Sequence, residues 1–328
     1  RGLGDVYKRQ PLSSVDTLRE FARDRNFDPV FLPQIKLEDT NHFNRFDQPY
    51  YYHEIDRLAR AYYDSDSKIY FDAYLLDARP QSDRRPFPNR YLKWARLQEI
   101  YQTTGSRFYA FFLSGEIIVS VVLIQAILIS LFLLILPAIF CQSTGRLHFE
   151  QSGYFLAVGA GFILSEIYFI KTYTFIFGDP LISFTFVLTG LLIFSSIGGL
   201  FSQRLSTGRL TPCLAGLIAL LAALFLFHDS LVQKLLSLSL IARYATAGLL
   251  LLPIGLLMGM AFPVGMRDLL EGSTQRAKAW AINGCASVVS AVATAQIALT
   301  AGIPILILIA ALTYAIALAC FKQSNPNL

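Results

Sequence analysis

Two ionisable side chains, Glu166 and Lys171, stand inside the apolar run GFILSEIYFIKTYTFIF, residues 161–177. A carboxyl group surrounded by hydrocarbon is costly unless it is protonated, hydrogen-bonded or turned toward a polar cavity. On a helix turning about 100° per residue, side chains five positions apart point about 140° from one another, so the two cannot form a simple intrahelical pair. Lys171 lies about 7.5 Å nearer the helix end, which suits an ammonium reaching past Gly178 and Asp179 toward the headgroups. Glu166 keeps two readings: an interhelical hydrogen bond, or a proton or substrate site. Asn283, in AWAINGCASVVSAVATA, precedes the small residues Ser287, Ala291 and Ala295. Small residues at that spacing let two helices approach closely enough for the Asn amide to reach a neighbour.

A second cluster of chemistry-bearing residues is DARPQSDRRPF, residues 77–87. Its Asp83, Arg85, Pro86 and Phe87 read as a domain-closing loop whose charges either bind an anionic or polyamine substrate or pair among themselves. The histidines His42, His53, His148 and His228 are widely separated, without the spacing of a base and its nucleophile, and read as surface or interface residues. Cys141, Cys213, Cys285 and Cys320 lie in or beside apolar runs without CxxC or Cys/His spacing. They read as small hydrophobes, and no metal site or disulfide framework is implied.

These residues are carried by two unlike halves. Of 328 residues 54% are hydrophobic and 16% charged, but residues 11–107 hold 15 Lys/Arg against 15 Asp/Glu, and residues 108–328 only 10 against 7. A balanced soluble segment therefore precedes a membrane segment, and the net charge of +5 is no nucleic-acid signature. Seven apolar runs of spanning length follow, near 111–140, 153–177, 180–202, 210–227, 244–266, 279–301 and 303–321. Backbone groups in lipid must pair internally, so each is a helix. HDSLVQKLLSLSLIAR, residues 228–243, fits a short interfacial helix. Pro253, Gly255, Gly259 and Pro263 give the fifth run either a packed kink or a broken helix with exposed backbone. The soluble segment reads as alternating α and β: a helix over SVDTLREFARDRN with Leu18, Phe21 and Ala22 on one face, a short extended run FDPVFLP, a helix near 49–63, an extended run in KIYFDAYLLDARP and a short helix at about 92–102. The fold class expected is mainly α, a polytopic membrane bundle of about seven helices preceded by a small α/β remnant.

The ordered motifs LREFARDRNFDPVFLP, NHFNRFDQPYYYHEI, LLDARPQSDRRPFPNRYLKW, SEIYFIKTYTFIFGDP and AWAINGCASVVSAV resemble bacterial membrane proteins that fuse permease-like helices to a spermidine synthase-like domain. The family's Asp-Asp-Arg-Pro-aromatic element corresponds to Asp83, Arg84, Arg85, Pro86 and Phe87, with Arg84 in place of the second acid. The resemblance implies a parent aminopropyltransferase of methyltransferase-like fold using decarboxylated S-adenosylmethionine or S-adenosylmethionine, with its glycine-rich loop and catalytic acids upstream of residue 11. On that reading residues 1–10 are an adaptor-derived or foreign segment, residues 11–107 the C-terminal part of the soluble domain, and residues 108–328 the membrane domain. No cofactor is expected in the chain itself. The Gly159 and Gly161 pair lies inside an apolar helix, and Gly2 with Gly4 lies in the foreign segment. The partners implied are the lipid bilayer, the N-terminal part of the same protein and a second copy in a homo-oligomer, in the inner membrane of the cell. The rivals are a small-molecule transporter module and a helical anchor that oligomerises. Short-loop charges, seven on the C-terminal side against five on the other, lean toward a cytoplasmic C-terminus. The cytosolic substrate implied by the resemblance demands the reverse, and on that ground the soluble part is assigned to the cytosol.

Overall fold

A computed structural model describes residues 12–44, 46–87, 90–104, 115–140, 146–204 and 210–324; residues 1–10, the glycines Gly2 and Gly4, and Cys141 lie outside them. The described residues divide into two compact units, one running to Pro80 and resuming at Tyr91, the other comprising Gln81–Arg90 and the helices from Gly115 onward.

Among its described residues the first unit holds four α-helices, α1 (Leu12–Asp24), α2 (Tyr50–Tyr63), α3 (Ser67–Ala73) and α4 (Leu97–Thr104). The expected α/β remnant is corrected here, because no strand forms among the described residues and the only bridge, Ser82 to Arg85, is isolated. FDPVFLP carries Pro29 and Pro33, which cannot donate to a ladder, and an extended run without a partner is not a strand. KIYFDA instead closes as α3, because side chains far along the chain cap it. Lys93 Nζ donates to the carbonyls of Phe71 and Tyr74 at 2.7 Å each, and Arg96 donates to Ala73 and Tyr74 at 3.3 Å. These cations satisfy the orphan carbonyls at the negative end of the helix. The predicted apolar face of α1 is present, yet Leu18 and Phe21 remain exposed.

The second unit is a helix bundle: α5 (Gly115–Phe140), α6 (Phe149–Phe177), α7 (Pro180–Ser202), α8 (Leu210–Leu226), α9 (His228–Ser237), α10 (Leu240–Asp268), α11 (Ser273–Ala301) and α12 (Ile303–Ser324). Six of these are long and apolar enough to cross a membrane, and α8 with α9 would add a seventh, bent by 73°. Local chemistry sets the breaks. Gly178 takes a left-handed φ of 75° at the end of α6, while Asp179 caps α7 by accepting from Ile182 N–H at 2.9 Å ahead of Pro180 in the first turn.

Hydrogen bonds between helices fix their directions. Gln151 at the start of α6 donates to the Leu269 carbonyl just past α10, and Arg243 near the start of α10 donates to Ile176 near the end of α6, so these two run antiparallel. Arg267 donates to Ser202 at 3.0 Å, placing the C-terminal ends of α7 and α10 together. Helix α8 therefore has to travel back the length of the bundle between them. Buried tyrosines stitch α6 to α10: Tyr154 donates to the Ala261 carbonyl at 2.5 Å and Tyr173 to Ala247 at 2.9 Å. Helix α10 is continuous through Pro253 and Pro263. A Cβ on Gly259 would fall 2.1 Å from the Ser195 carbonyl oxygen, and one on Gly198 2.1 Å from that of Leu256, so α7 and α10 meet at backbone contact. The glycine face packs, and no backbone is left open there.

Candidate functional site

A group of polar residues meets at the end of the bundle where α6 stops, α9 turns and α12 begins. The loop Gln81–Arg90 belongs to this unit and is fastened to it at three points. Its turn closes when Arg85 N–H donates to the Ser82 carbonyl at 2.7 Å. Arg84 then forms a two-pronged ion pair with Asp229 on α9, with Nε donating to Oδ1 at 3.0 Å, while its carbonyl accepts the Ile303 N–H of α12 at 2.9 Å. Farther along, Arg90 pairs with the buried Glu116 of α5 at 3.4 Å. The bidentate fork resists displacement better than a single charge contact would. Arg84 thus has a carboxylate partner supplied 145 positions away.

Between loop and helices lies a cavity of about 760 Å³. Its polar wall is made by Ser82, Asp83, Lys171, His228 and Gln233, and its apolar wall by Pro86, Phe87, Phe175, Val232, Leu236 and Ile303. His228 is buried, at 8% exposure, and its Nδ1 shares a 2.9 Å hydrogen bond with the Tyr168 hydroxyl. Burial pushes the His228 imidazole below its ordinary pKa against the pull of Asp229, which keeps it neutral near pH 7. The hydrogen bonds from Arg84 hold Asp229 below the usual carboxylate range. With Arg84 and Asp229 cancelling, the side chains left to meet a ligand are Lys171, Asp83 and neutral polar groups. The cavity thus presents one ammonium and one carboxylate among neutral polar and apolar groups.

The sequence-predicted residues are distributed unevenly around this cavity. Lys171, Asp83, Pro86 and Phe87 line it, whereas Arg85 sits beside Gly302 at the junction of α11 and α12. Glu166 is half-buried one and a half turns back along α6, outside the cavity lining. Asn283 lies elsewhere, donating from α11 to the Phe155 carbonyl of α6 at 3.0 Å; a Cβ at Gly159 would come within 2.7 Å of its amide nitrogen. Gly161 is likewise closed off by Thr313 and Tyr314. Neither glycine offers the exposed backbone amides of a phosphate-binding turn. Sequence reasoning missed His228, Asp229, Arg84 and Gln233 as neighbours, since nothing local signals a contact across such separations.

Fold and site together define a membrane-type helical bundle with a loop-covered polar cavity at one end. Compared with protein-family models, curated proteins and solved structures, the chain matches none.

Proposed function

We propose that this chain is the membrane part of a larger multi-pass protein of the inner membrane, and that its bundle binds a small anion-bearing molecule and does not serve as an anchor alone. The observation that carries this reading is the cavity bounded on one side by residues 82–87, with Lys171 and Asp83 in its lining and the Arg84–Asp229 pair holding the loop. A polyamine is disfavoured, because Lys171, unpaired among the described residues, would repel it and Asp83 alone is left to balance its several charges. The parent, on this reading, is a spermidine synthase-like transferase whose decarboxylated S-adenosylmethionine or S-adenosylmethionine is held outside the chain. The ordered motifs from LREFARDRN to AWAINGCASVV support that identity. The exposed Leu18, Phe21, Phe27 and Phe31 of the first unit are the kind of surface that further parts of a soluble domain would cover.

The test is thermal unfolding of the chain in lipid nanodiscs with a panel of small carboxylates, phosphates and amino acids, together with putrescine and S-adenosylmethionine. At least one anionic or zwitterionic probe should raise the midpoint by about 2–4 °C at saturating concentration. Lys171→Gln should abolish that rise, and neither putrescine nor S-adenosylmethionine should produce one. A panel without any Lys171-dependent shift removes the reading.

A further inference from the structure

The opposite end of the bundle carries a second concavity, of about 510 Å³, formed where the last turns of α10 meet the first turns of α11. It is lined by Phe262, Pro263 and Met266 of α10, Trp280 of α11, and the two arginines Arg267 and Arg276. Trp280 is 62% exposed and packs edge-on against Phe262 with ring centroids 4.8 Å apart. Arg267 is shared with Asp268 and the Ser202 carbonyl, so its charge is largely balanced. Arg276 forms no ion pair among the described residues. The slot is mostly apolar and shares its lining with two guanidiniums, and it lies at a bundle end with an aromatic side chain of the type that prefers the level of lipid headgroups.

We propose that this slot is a binding site for one anionic phospholipid, its phosphate held by Arg276 with Arg267 and its acyl chain laid along Phe262, Met266 and Trp280. A soluble anion would use the arginines and leave the apolar walls uncovered. A zwitterionic lipid would cover the walls but bring a choline or amine charge that opposes Arg276. A lipid carrying net negative charge satisfies both surfaces. Arg146, Arg204 and Lys322 lie toward this same end and raise the local concentration of anionic lipid without forming the slot.

The whole chain, purified with its native lipids into mild detergent, is analysed by native mass spectrometry with added phosphatidylglycerol or phosphatidylcholine, and separately by thermal unfolding with inorganic phosphate. Phosphatidylglycerol should be retained at one copy per chain at least five-fold more than phosphatidylcholine. Arg276→Gln should remove most of that preference, Arg276→Lys should keep part of it, and Lys322→Gln, a charge change at the same end outside the slot, should leave it intact. Equal losses in Arg276→Gln and Lys322→Gln would mean a diffuse basic surface and overturn the site. Equal retention of the two lipids, or stabilisation by inorganic phosphate alone, would overturn it as well. None of these readouts depends on the cavity at the other end, so the two readings fail separately.

Discussion

At the scale of single residues, His228 shows how burial sets protonation. Its ring is covered by Tyr168, with Asp229 and Arg84 close to it from α9 and the loop, and Lys171 and Asp83 lining the same cavity. The folded pKa is depressed, so the folded state binds fewer protons than the unfolded one as pH falls below the ordinary histidine value of about 6.5. The contribution of neutral His228 is complete above that value and is lost progressively below it, toward the lower folded pKa. Hydrogen exchange of the α9 amides, corrected for intrinsic rate, should therefore quicken from about pH 6.5 downward, and His228→Gln should flatten that response. An unchanged pH profile in the variant would show that another group controls the docking of α9. Read in the chain alone, this histidine is one of four isolated imidazoles. Its partner Tyr168 lies 60 positions away, and no spacing rule reaches so far, whereas Lys171 drew attention because its apolar neighbours are adjacent to it.

At the scale of elements, the bundle was legible because crossing a bilayer demands a long apolar run, a property local to the sequence. The expected run 180–202 coincides with α7, and 303–321 falls within α12. The first unit was less legible for the opposite reason. Helix α3 is closed by Lys93 and Arg96 from outside its own sequence, so KIYFDA taken alone, with Ile69, Tyr70 and Phe71 in a row, reads as extended. The loop's docking also depends on a joint that sequence shows only as a glycine. Gly302, between α11 and α12, has φ of 95°, and a Cβ there would stand 2.9 Å from the Arg84 carbonyl oxygen and 3.1 Å from Arg85 Cγ. Gly178 has φ of 75° with open space around it. Gly178→Ala should cost about 1 kcal/mol for the conformation alone. Gly302→Ala adds a collision with the loop and should cost about 2–3 kcal/mol, read as the larger fall in unfolding midpoint together with faster exchange at residues 81–87. Equal costs for the two alanines would mean that the loop yields freely and is not held at this joint.

For the whole molecule, the decisive question is how many times the chain crosses the bilayer, because this sets which ends share a side. By length and composition six helices qualify, and α8, with 17 residues spanning about 25 Å, falls just short on its own. Connectivity argues for seven. The contact of Arg267 with Ser202 sets α7 and α10 parallel, and two parallel neighbours joined by one intervening segment require that segment to return across the bundle. Helix α8 makes this return with Leu210, Leu214, Leu217 and Leu221 fully buried along its length, and α9 then turns by 73° and lies across its end. Passage of α8 across the bilayer places Gln203, at the end of α7, and Ser237, at the end of α9, on opposite sides. Single-cysteine variants at these two positions, with Cys141, Cys213, Cys285 and Cys320 replaced, should respond oppositely to an impermeant thiol reagent in intact cells, and both should label after lysis. If both label in intact cells, or both are protected, α8 does not cross, and the cavity and the lipid slot would face the same aqueous compartment; opposite labelling puts a small-molecule cavity on one side of the membrane and a lipid-binding slot on the other, and the site that labels identifies the side open to the exterior.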